Sequence, residues 1–351
     1  MNVFEFVGHI KKPTKRSDII KKTFNGSEYL SLGIQQSETN IGYARMYSEQ
    51  IYNNTILTKF YNSKSLQSVA YEDRFKESIV SQVANFYQYK IIYNNKIKIF
   101  ICKNDFIECA YNMITKLPEN TIYKVKGDYT RSFCNDRYYN NFNIHTITVD
   151  NQAKLELKLK LELFYNYESL DETDKKNKFV LNAYINQYVP ECKEFKYIPI
   201  QTQFITNTFD FTNAKDVEII KHRKSNLNPL PKEGYVKSIW ETTYFKGAIL
   251  TPPPLESLPK DIQFEINNAG RNINEYMSKL INKSEEIINL VRPDNTGTQN
   301  GAVYCPIKCS KEEFENQIYR IKTENNDIEI KSLDNLAVEE ANINPFNWKG
   351  D

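Results

Sequence analysis

Hydrophobic and polar residues alternate along much of the first 200 residues, with the two-residue period of β-strands that bury one face. Residues 28–36 and 41–47 show this alternation most clearly. The pattern predicts strands over residues 3–10, 28–36 and 41–47, two strands within 88–101, and further strands over 120–131, 138–149, 153–165, 178–188 and 195–206. Much of the chain is therefore expected to be β-structure.

Three segments have a helical pattern instead. Residues 72–86 place Phe75, Ile79, Val83 and Phe86 on one helical face. A second helix is predicted over 104–117, because Pro118 cannot continue it. Later in the chain, residues 235–250 have a strand pattern and residues 260–291 predict a long amphipathic helix.

The order strand, strand, strand, helix, strand, strand over residues 1–101 is that of an OB-fold, a five-stranded barrel. A similar order of strands follows from residue 120, without an evident helix. The fold class predicted is mainly β with helices (α+β), with tandem OB-fold-like barrels and a C-terminal helical or extended region. The predicted divisions are a first barrel with helices (1–117), a second barrel (118–210), a β-rich extension with the long helix (211–310) and an acidic, flexible tail (311–351).

Composition narrows the class of protein. The 351 residues are 40% hydrophobic and 26% charged, as in a folded globular protein, and no apolar run is long enough to span a membrane. The start of the chain lacks the pattern of a secretion signal. Six cysteines without framework spacing indicate reduced thiols, so we expect a cytoplasmic protein, in the host cell if it is viral.

Motifs for catalysis and for cofactor binding are missing from the sequence. It contains no phosphate-binding glycine loop, no dinucleotide fingerprint, no GxSxG and no HExxH. Cys305 and Cys309 form a CxxxC pair, but no second pair or histidine accompanies it, which disfavours a metal site. We expect no enzyme activity, no metal and no cofactor.

Net charge is only +2, so the placement of cations matters more than their number. Residues 1–22 carry six basic and two acidic side chains, whereas residues 311–351 carry five basic and ten acidic ones. Binding of single-stranded nucleic acid needs cations along the phosphates and exposed aromatic rings that stack on bases. Two clusters and a loop have this composition. The candidate residues are Tyr29, Tyr43, Arg45 and Tyr47 on the early strands, Lys11, Lys12, Lys15, Arg16, Lys21 and Lys22 in the first loop, and Lys126, Tyr129, Arg131, Phe133, Arg137, Tyr138 and Tyr139 in a predicted hairpin.

Each candidate has an ordinary structural alternative. The tyrosines could pack on the barrel with Arg45 extended over them, and the lysines could simply be solvated. AT-rich codons also encode Tyr, Phe, Lys, Asn and Ile, so the abundance of these residues is not evidence of function.

The segments VFEFVGHIKKPT, NGSEYLSLGIQQS and GYARMYS resemble the start of bacterial and phage single-stranded-DNA-binding proteins. Later segments are similar to suspected tandem OB-fold proteins of phage replication regions. The resemblance implies a role in DNA replication, recombination or repair, with single-stranded DNA or RNA as partner. The acidic stretch before Asn344–Pro345–Phe346 resembles the tip by which such proteins recruit replication partners, although five residues follow Phe346 here. A homo-oligomer is compatible with the sequence.

Two other classes of function stay open at this stage. The near-zero net charge also suits a β-rich viral structural protein, or one that interacts with a host-defence complex and binds no nucleic acid. An enzyme of nucleic-acid metabolism is the third class, with catalytic groups that meet only in the folded chain.

Overall fold

The structure, a computed structural model, describes residues 2–134, 137–171, 178–205, 214–215, 218, 234–247, 263, 285–294, 305–307 and 309–319. The chain is mostly β-structure with few helices. Its strands are β1 (Val3–Ile10), β2 (Ile20–Lys22), β3 (Glu28–Ser37), β4 (Asn40–Tyr47), β5 (Thr55–Thr58), β6 (Gln67–Ala70), β7 (Tyr89–Tyr93), β8 (Lys96–Phe100), β9 (Ile122–Cys134), β10 (Arg137–Val149), β11 (Glu156–Tyr165), β12 (Leu170–Asp171), β13 (Lys178–Val189), β14 (Glu194–Ile205), β15 (Val236–Gly247), β16 (Glu285–Pro293) and β17 (Cys305–Pro306). The described α-helices are α1 (Glu77–Val80), α2 (Lys103–Lys116) and α3 (Lys311–Asn316).

Five strands close a first barrel in the order β1, β3, β4, β10, β9 and back to β1. All neighbours are antiparallel except β4 and β10, which run parallel where Arg45 lies beside Asn143. Helix α2 comes between the third and fourth barrel strands, β4 and β9, in the sequence. This strand order, together with the position of the helix, is that of an OB-fold.

A second barrel repeats the same strand order with β11, β13, β14, β16 and β15. Its one parallel pair is again the third and fifth strands, β14 and β16, where Gln203 lies beside Asn289. The predicted fold class, mainly β with two five-stranded barrels, is confirmed.

The grouping of the strands differs from the prediction. Strands β9 and β10, expected to open the second barrel, complete the first one, so the predicted boundary after residue 117 falls inside that barrel. Strands β15 and β16, expected in a separate extension, complete the second. The hairpins β5–β6 and β7–β8 are inserted between β4 and α2. Alternation predicts that a segment is a strand, but it does not identify the strand's partner.

The predicted helices have mixed outcomes. Helix α2 is confirmed, with Phe106, Ile107, Ala110 and Ile114 buried. The helix over 72–86 is wrong: only the four residues of α1 are α-helical, and Phe75 and Phe86 are about half exposed rather than buried. The end of the long helix predicted over 260–291 is also wrong, since β16 occupies it, and residues 264–284 lie outside the described residues. The tail predicted from residue 311 begins with α3, and residues 320–351 lie outside the described residues.

The two barrels share one hydrophobic core and one sheet. Strand β1 pairs with β9 along one edge, while on the other edge its residues Val3–Val7 pair with β11 of the second barrel. At the junction, the ring centroid of Phe6 lies 4.8 Å from Phe4, 4.8 Å from Phe142 and 5.4 Å from Tyr244. The aromatic contacts and the β1–β11 ladder fix the barrels relative to each other.

Buried tyrosines predict how stability depends on pH. Burial raises the pKa of Tyr89, Tyr129 and Tyr244 above the ordinary value of 10.0, because a phenolate is poorly solvated in the core. A group with a raised folded-state pKa contributes stability that is complete below its unfolded pKa and is lost as the pH rises. Urea-unfolding midpoints are therefore expected to be flat up to about pH 9 and to fall above about pH 10.

The variant Tyr129→Phe provides the control for this effect. It removes one of the titrating groups, so its midpoint should fall less steeply than that of the unmodified protein at alkaline pH. Parallel declines of the two proteins would contradict the assignment to buried tyrosine.

The described residues contain no membrane-spanning helix and no group of metal ligands, and five of their cysteines are free. No helix in the described ranges is long and apolar enough to cross a membrane. Five cysteines there carry free thiols, and no group of metal-ligating side chains is found among the residues that the structure places.

Candidate nucleic-acid interface

Strand β4 presents a row of two tyrosines and an arginine to solvent. Ala44 and Met46 point into the core, so Tyr43, Arg45 and Tyr47 point outwards on the opposite face. Tyr43 is 40% exposed and Tyr47 is 44% exposed, large values for aromatic side chains in the middle of a sheet. In an OB-fold this outer face of the second and third strands is where oligonucleotides and oligosaccharides bind.

The neighbouring strand β3 supports the row. Tyr29 lies opposite Tyr47 in the ladder, and the two rings stack with centroids 5.2 Å apart and planes 30° apart. The guanidinium carbon of Arg45 lies 5.9 Å from the centroid of Tyr29. Arg45 forms no ion pair with a described residue, so its charge is available to an anionic ligand.

The row forms one wall of a cleft of about 330 Å³. The β9–β10 hairpin forms the opposite wall, and the end of β15 from the second barrel closes one side. The lining residues are Tyr43, Arg45, Tyr47, Thr130, Ser132, Asn140, Asn141, Phe142, Asn143, Tyr244 and Lys246. The cleft thus combines exposed rings, hydrogen-bonding amides and hydroxyls, and two cations.

The second barrel contributes both a cation and the floor of the cleft. The ammonium of Lys246 lies 6.0 Å from the ring centroid of Tyr43 and 4.0 Å from the carboxylate of Glu286. Tyr244 stacks on Phe6 with planes 18° apart, and its hydroxyl donates a hydrogen bond to Glu286. Burial, together with this carboxylate, raises the pKa of Tyr244, which keeps its hydroxyl protonated.

The structure brings together the two clusters that the sequence analysis assigned to different barrels. The hairpin that carries the second cluster connects the fourth and fifth strands of the first barrel, a loop that flanks the ligand face of OB-folds. The parallel contact between Arg45 and Asn143 places the hairpin beside β4. The hairpin therefore forms part of the cleft, although none of the seven residues predicted on it is among the lining residues.

Several hairpin residues nevertheless face away from the cleft. Tyr129 is only 2% exposed, and its hydroxyl donates to Asn140 Oδ1 at 2.6 Å. The prediction that Tyr129 stacks on a base is therefore wrong, because its ring is part of the core. Phe133 and Tyr138 pack edge to face with centroids 5.0 Å apart and are only partly exposed.

Arg131 and Lys126 are already engaged within the protein. The guanidinium of Arg131 donates to the carbonyl oxygen of Pro199, and the side chain of Gln187 bonds the backbone N–H and C=O of Arg131 at 2.8 and 2.6 Å. Lys126 forms an ion pair with Glu5. The prediction that Arg131 contacts phosphate is corrected, since its guanidinium fastens the hairpin to the second barrel. For Lys126, whose side chain is half exposed, phosphate contact stays a prediction.

Arg131→Ala is expected to lower stability and to leave the salt dependence of ligand binding unchanged. The change removes a partly buried charge–carbonyl contact between the barrels, which we expect to contribute about 1.5–3 kcal/mol. Urea unfolding measures the first effect, and oligonucleotide titrations at several salt concentrations measure the second. If Arg131→Ala reduced the salt dependence of binding as much as Arg45→Ala, Arg131 would again be a candidate for contact with the ligand.

The basic loop before β3 is divided between structural and exposed cations. Arg16 bridges Glu28 and Glu108, which raises its pKa, and Lys21 Nζ donates to the carbonyl oxygen of Ser17 at 2.8 Å. Lys15 is exposed. Lys11, Lys12 and Lys22 are exposed and form no ion pair within the described part of the chain. These last three lysines are the strongest candidates of the loop for contact with an anionic ligand.

Near the tip of the hairpin, Arg137 is exposed and Tyr139 is 45% exposed, opposite Ser132 of the cleft. Both remain candidates. The sequence analysis missed Lys246, Tyr244 and the amides Asn140, Asn141 and Asn143. The amides could have been found in the segment RYYNNFN, where three asparagines lie within four residues of a predicted strand. Lys246 gave no such signal, because it reaches the site only through the packing of the barrels.

Comparison with known proteins adds little to this picture. No protein-family model matches the sequence, and no curated protein matches it. The chain is similar to the crystal structure of wild-type single-stranded DNA binding protein from Thermus aquaticus, with 9% identity over 89% of this chain and 98% of that chain, at a TM-score of 0.31. It is also similar to a deletion mutant of that protein, with 10% identity over 74% of this chain and 98% of that chain, at a TM-score of 0.29. Both TM-scores are low, so the barrels are assigned from strand pairing alone.

Proposed function

We propose that the protein is a non-catalytic single-stranded DNA-binding protein that holds its ligand in the cleft of the first barrel. The observation that supports this proposal is the outward row Tyr43, Arg45 and Tyr47, which faces a hairpin of hydrogen-bonding side chains. Exposed rings stack on bases of any sequence, and an exposed guanidinium attracts the phosphates between them.

The exposed rings of the cleft favour a single strand over a duplex. Stacking on Tyr43 or Tyr47 needs a base whose face is free, and in a duplex both faces are covered by neighbouring bases. The asparagine amides can donate to or accept from base edges and sugars, which tolerates varied sequence. With only two cations in its lining, the cleft depends on stacking as well as on charge.

The finer assignment is to a phage replication or recombination module, in the cytoplasm of the host cell. It rests on the resemblance of the N-terminal segments described above. Recruitment of replication proteins by the acidic C-terminal region is part of the same proposal, and residues 320–351 of that region lie outside the described residues.

Fluorescence anisotropy with labelled single-stranded DNA, single-stranded RNA and duplex DNA, at a low and a high salt concentration, tests the proposal. Single strands should bind more tightly than the duplex, and affinity should fall as salt rises because bound counterions are released. Absence of binding to every oligonucleotide at low salt would refute the proposal. Stable homo-oligomers in that case would favour the structural or host-interaction alternative.

Arg45→Ala is expected to reduce the salt dependence of binding. Removing one phosphate contact should make the slope of log K against log salt shallower by about 0.7 for a single strand. Lys98→Ala, which removes a cation on β8 outside the cleft, is the control and should leave the slope unchanged. Equal slopes for the unmodified protein and Arg45→Ala would show that Arg45 does not contact phosphate.

A further inference from the structure

The second barrel has an aromatic outer face of its own. Phe164 on β11 lies opposite Tyr184 on β13, and Tyr197 follows on β14. The three side chains belong to a hydrophobic cluster separate from the core of the barrels, because their strand neighbours, such as Leu163 and Ile198, point inwards instead. These are the first three strands of the second barrel, so the face corresponds to the one that carries Tyr29 and Tyr43 in the first.

A segment from near the end of the described chain covers this face. We call residues 305–319 the strap; it contains β17 and α3. Its Phe314 is fully buried between two rings: the centroid of Tyr197 is 3.9 Å away with planes 27° apart, and that of Tyr235 is 3.8 Å away with planes 17° apart. Tyr184 meets the same ring edge-on at 5.6 Å. Phe314 thus fills an aromatic cage whose walls are spaced for one planar ring.

Backbone hydrogen bonds tie the strap to the barrel at both of its ends. At one end β17 pairs with β15, and the N–H of Ile307 donates to Tyr235 O at 3.1 Å. At the other end the N–H of Tyr197 donates to Gln317 O at 3.0 Å, and the N–H of Tyr319 donates to Tyr197 O at 2.9 Å. Between them α3 has six residues, and Phe314 is its buried side chain.

Two lysines near the cage are each paired with a carboxylate and stay partly exposed. Lys237 lies opposite Phe164 in the ladder, and its ammonium is 3.0 Å from the carboxylate of Glu162. On the strap, Lys311 is 3.2 Å from Glu168, and both side chains are about half exposed. Pro199, opposite Tyr184, accepts the hydrogen bond from Arg131 of the first-barrel hairpin. The cage therefore adjoins the element that forms a wall of the first cleft.

We propose that the cage is a second stacking site for a nucleobase, which Phe314 occupies until a bound single strand displaces the strap. The inference rests on the proposed function, since the base would belong to a strand already held in the first cleft. A short strand fills the first cleft alone. A longer one continues to the second barrel, where a base replaces the ring of Phe314 between Tyr197 and Tyr235.

The test compares Phe314→Ala with the unmodified full-length chain in anisotropy titrations with oligothymidines of about 8 and about 30 nucleotides, below and above the span of one barrel. Emptying the cage should tighten binding of the long oligonucleotide roughly tenfold, since a stacked base contributes about 1–3 kcal/mol, and should leave the short one unaffected. Adding Tyr197→Ala to Phe314→Ala should remove the gain. A folded Phe314→Ala that binds the long oligonucleotide no more tightly would overturn the proposal.

Hydrogen exchange of the unmodified protein decides the matter even if Phe314→Ala does not fold. The amides of Tyr197, Ile307 and Tyr319 donate the hydrogen bonds between the strap and the barrel, so they should lose protection when the long oligonucleotide is added and keep it with the short one. A strap that stays protected at saturation with the long oligonucleotide refutes the second site alone. Failure of both oligonucleotides to bind the unmodified protein would refute the proposed function itself.

Discussion

Replacing Tyr43 and Tyr47 together by alanine is expected to weaken binding of single-stranded DNA by at least about 30-fold. Each ring that stacks on a base contributes about 1–3 kcal/mol, so the loss of two corresponds to about 2 kcal/mol even at the lower limit. Both rings are exposed on the outer face of β4, where their removal leaves the buried Ala44 and Met46 in place. The variant should therefore unfold at the same urea concentration as the unmodified protein.

The matched control replaces two tyrosines of similar exposure elsewhere. Tyr61 is 56% exposed and Tyr93 is 39% exposed, and neither lines the cleft. Tyr61→Ala with Tyr93→Ala should retain the affinity of the unmodified protein in anisotropy titrations. Equal losses in the two double variants would mean that the tyrosines of β4 act as ordinary surface residues.

Gly127→Ala should destabilise the protein by about 3 kcal/mol, the upper part of the usual range for overpacking. A Cβ atom at this position would lie 1.8 Å from the carbonyl oxygen of Asn143 and 2.9 Å from Cε1 of Phe4. The ladder between β9 and β10 is irregular at this point, because His145 is an extra residue between the pairs of Ile144 and Thr146. Since the closest atom belongs to the paired backbone, the clash cannot be relieved by rotation of a side chain.

Gly33→Ala is the control for this substitution. Its Cβ would lie 3.3 Å from the ring of Tyr43, an exposed side chain that can rotate away. Urea unfolding should show unchanged or slightly higher stability for Gly33→Ala, because alanine loses less backbone entropy than glycine in a strand. A midpoint for Gly127→Ala equal to that of the unmodified protein would contradict the close approach of β9 and β10.

Most strands were predictable because one face of each is buried and the other is solvated. The alternation in β3 and β4 gave their bounds to within a residue, together with the outward direction of Tyr43, Arg45 and Tyr47. The sequence alone could not show that the helix predicted over 72–86 is wrong. Phe75 and Phe86 have helical spacing, yet both lie about half exposed in an irregular insertion. The spacing of the two rings is a property of the local sequence, whereas their burial depends on which other segments pack against them.

The partners of each strand could not be predicted in the same way. The pairing of β1 with β9 joins residues more than a hundred positions apart, and nothing in either segment specifies the other. For this reason the hairpin residues were assigned to the wrong barrel. Tyr129 illustrates the remaining error. It is adjacent to Thr130 on β9, so the two side chains point to opposite faces: the ring of Tyr129 enters the core, and Thr130 lines the cleft.

The position of β1 also affects the order in which the chain can fold during synthesis. Apart from its pairs with Gln35 and Ile34, β1 forms its ladders with β9 and β11, which are translated more than a hundred residues later. Contacts between such distant segments form slowly, because a long loop must close first. Until β11 has left the ribosome, the apolar segment VFEFVGHI lacks most of its partners, and an unpaired apolar strand of this kind is prone to aggregation.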